Sequence, residues 1–263
     1  MECHRELGPG LDEAFYHELL CEKLKTAGIP HQFKPKGRLI HRGIIADEFE
    51  ADVLVSDELV LELKVLRDGF APEHWLQIIC YLKFWRSRAG LLFDFGKESL
   101  VHQRVVFSAS EASFDADHWL AATPASISDR AALELVSRAI SGILDTYGLG
   151  YRDTTYRGLL FAELTVSGVQ CVRDPITSIH RANSPYGESK LPCLVLPGRC
   201  ALYVNALRDT HQAADRAVLQ TYLRYLKLPW GIVVNFGKRG LDIQLTLAPH
   251  AKYLTPPLIQ TDH

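Results

Sequence analysis

The sequence predicts an α/β protein of the α+β type that consists of two tandem copies of one domain. Its 263 residues are enough for two domains of roughly 130 residues each. Helical and β-rich patterns follow one another in the order helix, strands, helix, strand along the first half. Segments of the first half then recur in the second half at one fixed spacing, which indicates an internal duplication.

Each element is predicted from its local pattern. Helices are predicted where apolar residues recur at spacings of three and four, at residues 11–27, 72–86 and 130–147. Strands are predicted in short β-rich stretches bounded by glycine, proline or polar turns, at residues 29–37, 39–45, 50–55, 59–66 and 90–95. Because only short turns separate the first four strands, we expect them to form a meander.

The duplication sets the predicted domain boundaries. Residues 90–97, with the sequence GLLFDFGK, return 141 positions later as residues 231–238, with the sequence GIVVNFGK. The stretch between the two copies is small, polar and acidic, which is typical of a connection. We therefore predict a first domain at residues 1–107, a linker at 108–128 and a second domain at 129–263.

Composition excludes several classes of protein. The 29 Lys and Arg against 31 Asp and Glu give a formal net charge of −2, so a nucleic acid would have to bind a local basic patch. No apolar run approaches the roughly 20 residues of a membrane span, and the polar amino terminus is unlike a secretory signal. The six cysteines form no CxxC pair, which favours reduced thiols. We expect a soluble, cytoplasmic protein with no membrane partner.

Candidate catalytic residues lie on two neighbouring β-rich stretches. Asp52 precedes a turn, and Glu62 and Lys64 follow it. Because side chains of a strand alternate between faces, Glu62 and Lys64 project together, and a hairpin would bring Asp52 beside them. Two carboxylates can hold a hard divalent cation while an ammonium positions or activates water, which suits phosphodiester cleavage. The alternative is a half-exposed hairpin whose charges are simply solvated.

Two helical pairs give this pattern a context. Glu13 and Tyr16 lie three residues apart within the segment GLDEAFY at residues 10–16. Gln77 and Tyr81 lie four residues apart on the later helix. Each pair shares one helix face, so Gln77 and Tyr81 could contact substrate or the attacking water. Either face alone is typical of a structural helix.

Together these motifs resemble the GxxExxY family of the PD-(D/E)XK nuclease superfamily over residues 4–107. The resemblance implies a restriction-endonuclease-like domain, which has a central mixed sheet flanked by helices, and a site for Mg²⁺ or Mn²⁺. It also implies a role for each matching residue. Asp52 and Glu62 would be metal ligands, Lys64 the water-activating residue, Glu13 an accessory carboxylate and Gln77 the polar group of the following helix.

The second copy lacks this motif. At the positions 141 residues later it has Cys193 for Asp52, Tyr203 for Glu62, Asn205 for Lys64 and Val218 for Gln77. Near the start of the copy the spacing is 140 residues, which places Asp153 at the position of Glu13. A cysteine, a tyrosine and an asparagine cannot supply the anionic oxygens that magnesium prefers. We therefore expect a degenerate copy without catalysis, which serves as a scaffold or partner of the first.

A cluster of cations precedes the motif. The candidate nucleic-acid-binding residues are Lys34, Lys36, Arg38 and Arg42, together with Tyr81 of the later helix. Phosphate contacts from such a patch would give salt-sensitive and largely sequence-independent binding. The alternative is that the cations protect a strand edge from aggregation.

The sequence thus predicts a metal-dependent nuclease-like protein whose first copy hydrolyses phosphodiester bonds of nucleic acid, with DNA favoured over RNA. The alternative is a non-enzymatic nucleic-acid-binding or protein-interaction module on the same fold, because fold does not determine function. A second copy of the chain or another protein stays open as a further partner, and no organic cofactor is predicted.

Overall fold

The computed structural model describes residues 1–108, 112–124, 127, 129–181, 184–208, 210 and 212–249. The chain forms two compact units, one of Met1–Ala109 with Gly150–Thr155 and one of Ser110–Leu149 with Tyr156–His263. Parts of the predicted linker and second domain lie outside the described residues, namely 109–111, 125, 126, 128, 182, 183, 209, 211 and 250–263.

The first unit has three helices and seven strands within the described residues. Its helices are α1 (Glu2–Leu7), α2 (Glu13–Thr26) and α3 (Pro72–Trp85). Its strands are β1 (His31–Phe33), β2 (Lys36–His41), β3 (Ile44–Glu50), β4 (Val53–Val55), β5 (Leu59–Lys64), β6 (Ala89–Asp94) and β7 (Val101–Val105). The sequence pattern predicts α2, α3, β1, β4, β5 and β6, but not α1 or β7. Its stretches 29–37 and 39–45 divide β2 at residue 38, and most of β3 lies between the stretches 39–45 and 50–55.

The first sheet is mixed, with the strand order β1-β4-β5-β6-β7. β5 and β6 are parallel and the other neighbours are antiparallel. α3 is the crossover that a parallel pair requires. The expected meander is wrong, because β2 and β3 pair with each other as a separate hairpin while β1 pairs with β4.

The second half of the chain repeats this arrangement. Its helices are α4 (Ala116–Ala122), which lies within the predicted linker, α5 (Arg130–Tyr147), α6 (Asp153–Val166) and α7 (Ala213–Leu226). Its strands are β8 (Val172–Arg173), β9 (Ile176–Arg181), β10 (Ser184–Lys190), β11 (Leu194–Leu196), β12 (Cys200–Ala206), β13 (Trp230–Phe236) and β14 (Leu241–Leu247). The sheet order β14-β13-β12-β11-β8, with β9 and β10 as a separate hairpin, matches the first copy and confirms the predicted fold class.

The hydrophobic core of the first unit determines which residues of β5 lie on each face of the sheet. Leu61 and Leu63 pack with Tyr16, Val53 and Phe95 on one face of the sheet. Because side chains of a strand alternate, the charged residues of β5 must lie on the opposite face. Within the described ranges, which end at residue 249, no helix has the length and apolar character needed to cross a bilayer.

Equivalent tyrosines close the same turn in both copies. The hydroxyl of Tyr16 donates a hydrogen bond to the Gly8 carbonyl at 2.7 Å, and the hydroxyl of Tyr156 donates one to the Gly148 carbonyl at 2.6 Å. Each tyrosine ring also stacks on a phenylalanine of its own sheet. The duplication has therefore kept the architecture that precedes α2 and α6.

Tyr16→Phe and Tyr156→Phe each remove one of these hydrogen bonds, and Tyr16→Phe also removes the hydroxyl that accepts a bond from the Leu11 N–H. We expect each variant to lower the free energy of unfolding by about 1–2 kcal/mol, because a carbonyl loses its partner while the ring packing stays. Urea denaturation measures the change. An unaltered midpoint in both variants would contradict a shared structural role.

Candidate active site

Asp52 lies beside Glu62 because of the register of the β4–β5 hairpin. Val53 is opposite Leu61. Because the two strands are antiparallel, the residue before Val53, Asp52, is opposite the residue after Leu61, Glu62. The backbone N–H of Leu63 donates a hydrogen bond to Asp52 Oδ2 at 2.7 Å. This bond fixes the Asp52 carboxylate at the start of β4.

Glu62 and Lys64 share one face of β5, as the alternation of the strand predicts. Lys64 Nζ donates a hydrogen bond to Glu62 Oε1 at 2.7 Å. The Glu62 side chain is 1% exposed and that of Lys64 is 17% exposed. Glu62 Oε2 is buried and has no hydrogen-bond partner. Such an oxygen is uncommon in a folded protein and is a candidate metal ligand.

α2 brings a third carboxylate and an imidazole to Asp52. His17 Nε2 lies 3.3 Å from Asp52 Oδ2 and 3.9 Å from Glu13 Oε1. One ligand atom from each of these three residues lies within 4.8 Å of the other two, whereas Glu62 lies outside this group. His17 is not among the site residues that the sequence predicts. Its position four residues after Glu13, on the same face of the helix, was the available signal.

The GxxExxY pattern positions Glu13. Gly10 has a φ of 82°, a left-handed conformation that favours glycine, and so turns the chain before α2. The hydroxyl of Tyr16 accepts a hydrogen bond from the Leu11 N–H at 3.1 Å. The glycine and the tyrosine therefore shape the turn, and the glutamate is the residue of the pattern that reaches the cluster.

Burial and crowding of charge shift the pKa values of the site. Burial and the charge of Asp52 raise the pKa of Glu62 to about 7, although Lys64 opposes this rise. Burial also raises the pKa of Glu13. The charge of Lys64 opposes this rise, and the charge of Asp52 adds to it. Burial alone would lower the pKa of Lys64, but the charge and hydrogen bond of Glu62 raise it overall.

This donor set fits a hard divalent cation. Three carboxylates face one lysine, so the site has an excess of negative charge, and Glu62 Oε2 has no partner. Side-chain exposure rises from 1% at Glu62 to 38% at Glu13, so the cluster opens to solvent on the side of α2. Asp52, Glu62 and Glu13 are the oxygen ligands that the structure offers.

Tyr81 and Gln77 of α3 form a second polar group. Gln77 Nε2 donates a hydrogen bond to Tyr81 Oη at 2.9 Å. Burial raises the pKa of Tyr81, the bond from Gln77 opposes the rise, and the charges of Glu62 and Asp52 add to it. Tyr81 therefore lies within electrostatic range of the carboxylates, and Gln77 contacts Tyr81.

Two of the four predicted nucleic-acid-binding cations are paired with carboxylates. On the β2–β3 hairpin, Lys36 lies opposite Glu50 and Arg38 lies opposite Glu48. The nitrogen–oxygen distances of these ion pairs are 3.1 Å and 2.8 Å. The net positive charge of this surface is therefore smaller than the four cations suggest.

Lys34 and Arg42 occupy turns on either side of β2. Lys34 has a φ of 46° and Arg42 a φ of 52°. The charge of Lys34 opposes the rise in the pKa of Glu13, so Lys34 lies within electrostatic range of the cluster. Lys34 is thus a cation that the structure relates to the carboxylates.

Comparison with known proteins decides the family. A family model of the PD-(D/E)XK nuclease superfamily matches residues 1–105 and 130–245. The chain belongs to this superfamily. The two matched ranges confirm the tandem duplication, while the finer resemblance to the GxxExxY family stays a prediction.

Other comparisons are more distant. No curated protein shows a significant match. A solved structure described as "Crystal structure of SSO0001" is similar at 17% sequence identity with a TM-score of 0.30. The similarity covers 36% of this chain and 50% of that chain, so this chain matches half of the length of that protein.

The second PD-(D/E)XK copy has one additional residue next to the position that corresponds to Asp52. The Lys34 N–H donates to the Asp52 carbonyl and the Asp174 N–H donates to the Cys193 carbonyl, both at 2.9 Å. These equivalent bonds relate Lys34 to Asp174 by 140 positions but Asp52 to Cys193 by 141. The extra residue falls at Pro192, directly before Cys193.

An ion pair lies beside Cys193 in the second PD-(D/E)XK copy. Arg157, the equivalent of His17, has its Nε 2.8 Å from Asp174 Oδ1, and both side chains are largely buried. Burial raises the pKa of Cys193 to about 12, with Asp174 adding to the rise and Arg157 opposing it. In the described part of the second copy, no group of His, Cys, Asp and Glu side chains resembles the metal cluster of the first.

Arg157→Met tests whether this ion pair stabilises the second copy. The change would leave the Asp174 carboxylate with more distant cations, at 3.6 Å from Lys190 and 3.9 Å from Arg173. We expect the free energy of unfolding to fall by about 3 kcal/mol. This is the lower end of the range for removing one partner of a buried ion pair, because the two remaining cations still offset part of the charge of Asp174.

Chemical denaturation measures this loss. Arg138→Met is the matched control, because Arg138 pairs with Glu134 on an exposed helix surface, and we expect it to cost at most about 0.5 kcal/mol. Equal effects of the two variants would show that burial of the Arg157 pair has no energetic consequence.

Proposed function

We propose that the first copy is a nuclease that hydrolyses phosphodiester bonds of nucleic acid, with DNA favoured over RNA, and that it uses Mg²⁺ or Mn²⁺. The observation that carries this proposal is the buried, unpartnered Glu62 Oε2 beside Asp52 and Lys64. Leaving a carboxylate oxygen buried without a partner is costly, and a divalent cation would satisfy it.

Asp52 and Glu62 would hold the cation, with Glu13 as the accessory carboxylate. A bound Mg²⁺ or Mn²⁺ supplies positive charge that polarises a phosphodiester oxygen and favours the ionisation of water. The Leu63 N–H holds Asp52 in the ligand position before any cation binds. The site is thus preorganised by backbone pairing.

Lys64 acts in this proposal as a cation that stabilises negative charge on the phosphate. Its raised pKa keeps the side chain protonated, whereas direct removal of a proton from water would need the neutral amine. The Lys64 side chain is 17% exposed, so its ammonium can face a bound substrate. Electrostatic stabilisation of developing charge is usually a large contribution to catalysis.

Tyr81 is proposed to contact the substrate, and Gln77 is proposed to position the Tyr81 hydroxyl. Because Gln77 Nε2 donates to Tyr81 Oη, the tyrosine hydroxyl keeps its own proton available for donation. That proton can bond a phosphate oxygen near the carboxylates. Gln77 then acts through Tyr81.

The catalytic proposal predicts that Asp52→Asn and Lys64→Ala each reduce metal-dependent cleavage by about a hundredfold or more. Fluorescently labelled DNA and RNA, single- and double-stranded, serve as substrates. Tyr203→Phe is the control, because Tyr203 occupies the position of Glu62 in the second copy. Full cleavage by both first-copy variants would rule out the assignment.

Metal binding can be tested without turnover. Saturating Mg²⁺ or Mn²⁺ should stabilise the folded protein, by about 2.7 kcal/mol at a concentration of one hundred times Kd. Thermal unfolding of the wild type and Asp52→Asn measures this gain, which the variant should lose. Absence of any gain in the wild type would favour the non-enzymatic binding module instead.

Lys34 and Lys36 should differ in their contribution to nucleic-acid binding. We expect Lys34→Ala to reduce the salt dependence of DNA binding by about one phosphate contact, a slope change near 0.9. Lys36→Ala should change the slope less, because Glu50 already pairs with Lys36. Fluorescence anisotropy over a salt series measures both slopes, and equal slopes would contradict the difference.

We also propose a cytoplasmic location, which the free thiols of all six cysteines support. Whether a second copy of the chain or another protein binds the degenerate copy is testable by light scattering of the purified protein.

A further inference from the structure

The proposed cation site includes a nitrogen atom that the D…ExK motif does not contain. We infer that His17 Nε2 binds the cation together with Asp52 and Glu13, and that the site therefore prefers Mn²⁺ and Co²⁺ to Mg²⁺. This inference rests on the proposed function, because it concerns the same cation.

His17 is buried with its Nε2 among carboxylates. The residue is 3% exposed, and its ring meets the Phe33 ring edge-on at 5.8 Å between centroids. Nε2 makes no hydrogen bond, although Asp52 Oδ2 lies 3.3 Å away. Buried polar atoms nearly always have a hydrogen-bond partner. Two buried atoms of this site, His17 Nε2 and Glu62 Oε2, lack one.

The second copy shows that this position accommodates a cation. Arg157 replaces His17 there and places its guanidinium 2.8 Å from Asp174. An arginine provides a permanent charge and cannot bind a metal, whereas a neutral imidazole is a common metal ligand. The same helix position therefore has a positively charged side chain, Arg157, in the second copy and a side chain that can bind a metal ion, His17, in the first copy.

The ligand chemistry gives the metal preference. Added to the proposed carboxylate ligands Asp52, Glu62 and Glu13, the His17 imidazole makes a mixed oxygen and nitrogen set, and Mg²⁺ strongly prefers oxygen. Affinity at such sites rises from Mn²⁺ to Co²⁺. We therefore expect Co²⁺ to bind most tightly, then Mn²⁺, then Mg²⁺.

Electron spin echo spectroscopy of Mn²⁺ bound to the full-length protein tests ligation directly. A coordinated imidazole should give ¹⁴N modulation, and ¹⁵N-histidine labelling of the whole chain should replace it with ¹⁵N signals. This comparison needs no substitution, so it does not depend on whether a His17 variant folds.

His17→Gln tests the preference. Glutamine offers an oxygen in place of the nitrogen, so the Co²⁺ affinity should fall by about tenfold or more. Removing a group that merely hydrogen-bonds a metal ligand already lowers metal affinity by at least about tenfold. The Mg²⁺ affinity should change less. Isothermal titration gives both constants, and His118→Gln, at an exposed position on α4, is the control.

The outcomes separate the two proposals. Nitrogen modulation that ¹⁵N labelling alters supports His17 as a ligand. Mn²⁺ binding that needs Asp52 but shows no nitrogen modulation overturns the role of His17 and leaves the proposed nuclease site intact. Wild-type protein that binds neither Mn²⁺ nor Co²⁺ overturns both.

Discussion

The hydrogen bond from the Leu63 N–H to Asp52 Oδ2 joins the sheet to the candidate site. It depends on the antiparallel register that sets Val53 opposite Leu61. A shift of one residue would turn Glu62 onto the face that packs Leu61 and Leu63 and would place those leucines where the charged residues lie, so the packing of the apolar face enforces the register. The packing of the sheet thereby decides where the carboxylates meet.

Those carboxylates create an imbalance of charge that Lys64 alone does not remove. Lys64 binds one oxygen of Glu62, and the other oxygen stays buried without a partner. The raised pKa values of Glu62 and Glu13 report the same crowding. A site of this kind is stabilised when a cation arrives, which links the folding energetics of the first copy to its proposed chemistry.

The second copy keeps the fold and lacks this imbalance. Backbone pairing in its sheet does not require the motif side chains, so Cys193 and Tyr203 can replace acids without altering the strand order. Arg157 and Asp174 place opposite charges in direct contact beside Cys193. One architecture thus contains two electrostatic arrangements, one with an excess of carboxylates and one with an ion pair of its own.

Sequence alone determined what local spacing encodes. Alternation along β5 predicted that Glu62 and Lys64 share a face, and the recurrence of one segment predicted the duplication, because both are properties of neighbouring residues. Tertiary structure decided the rest. It brings His17 close to Asp52, and it pairs β2 and β3 as a hairpin separate from the five-stranded sheet. These features join residues far apart in the chain, where the local pattern specifies a face of each element but not which other element will pack against it.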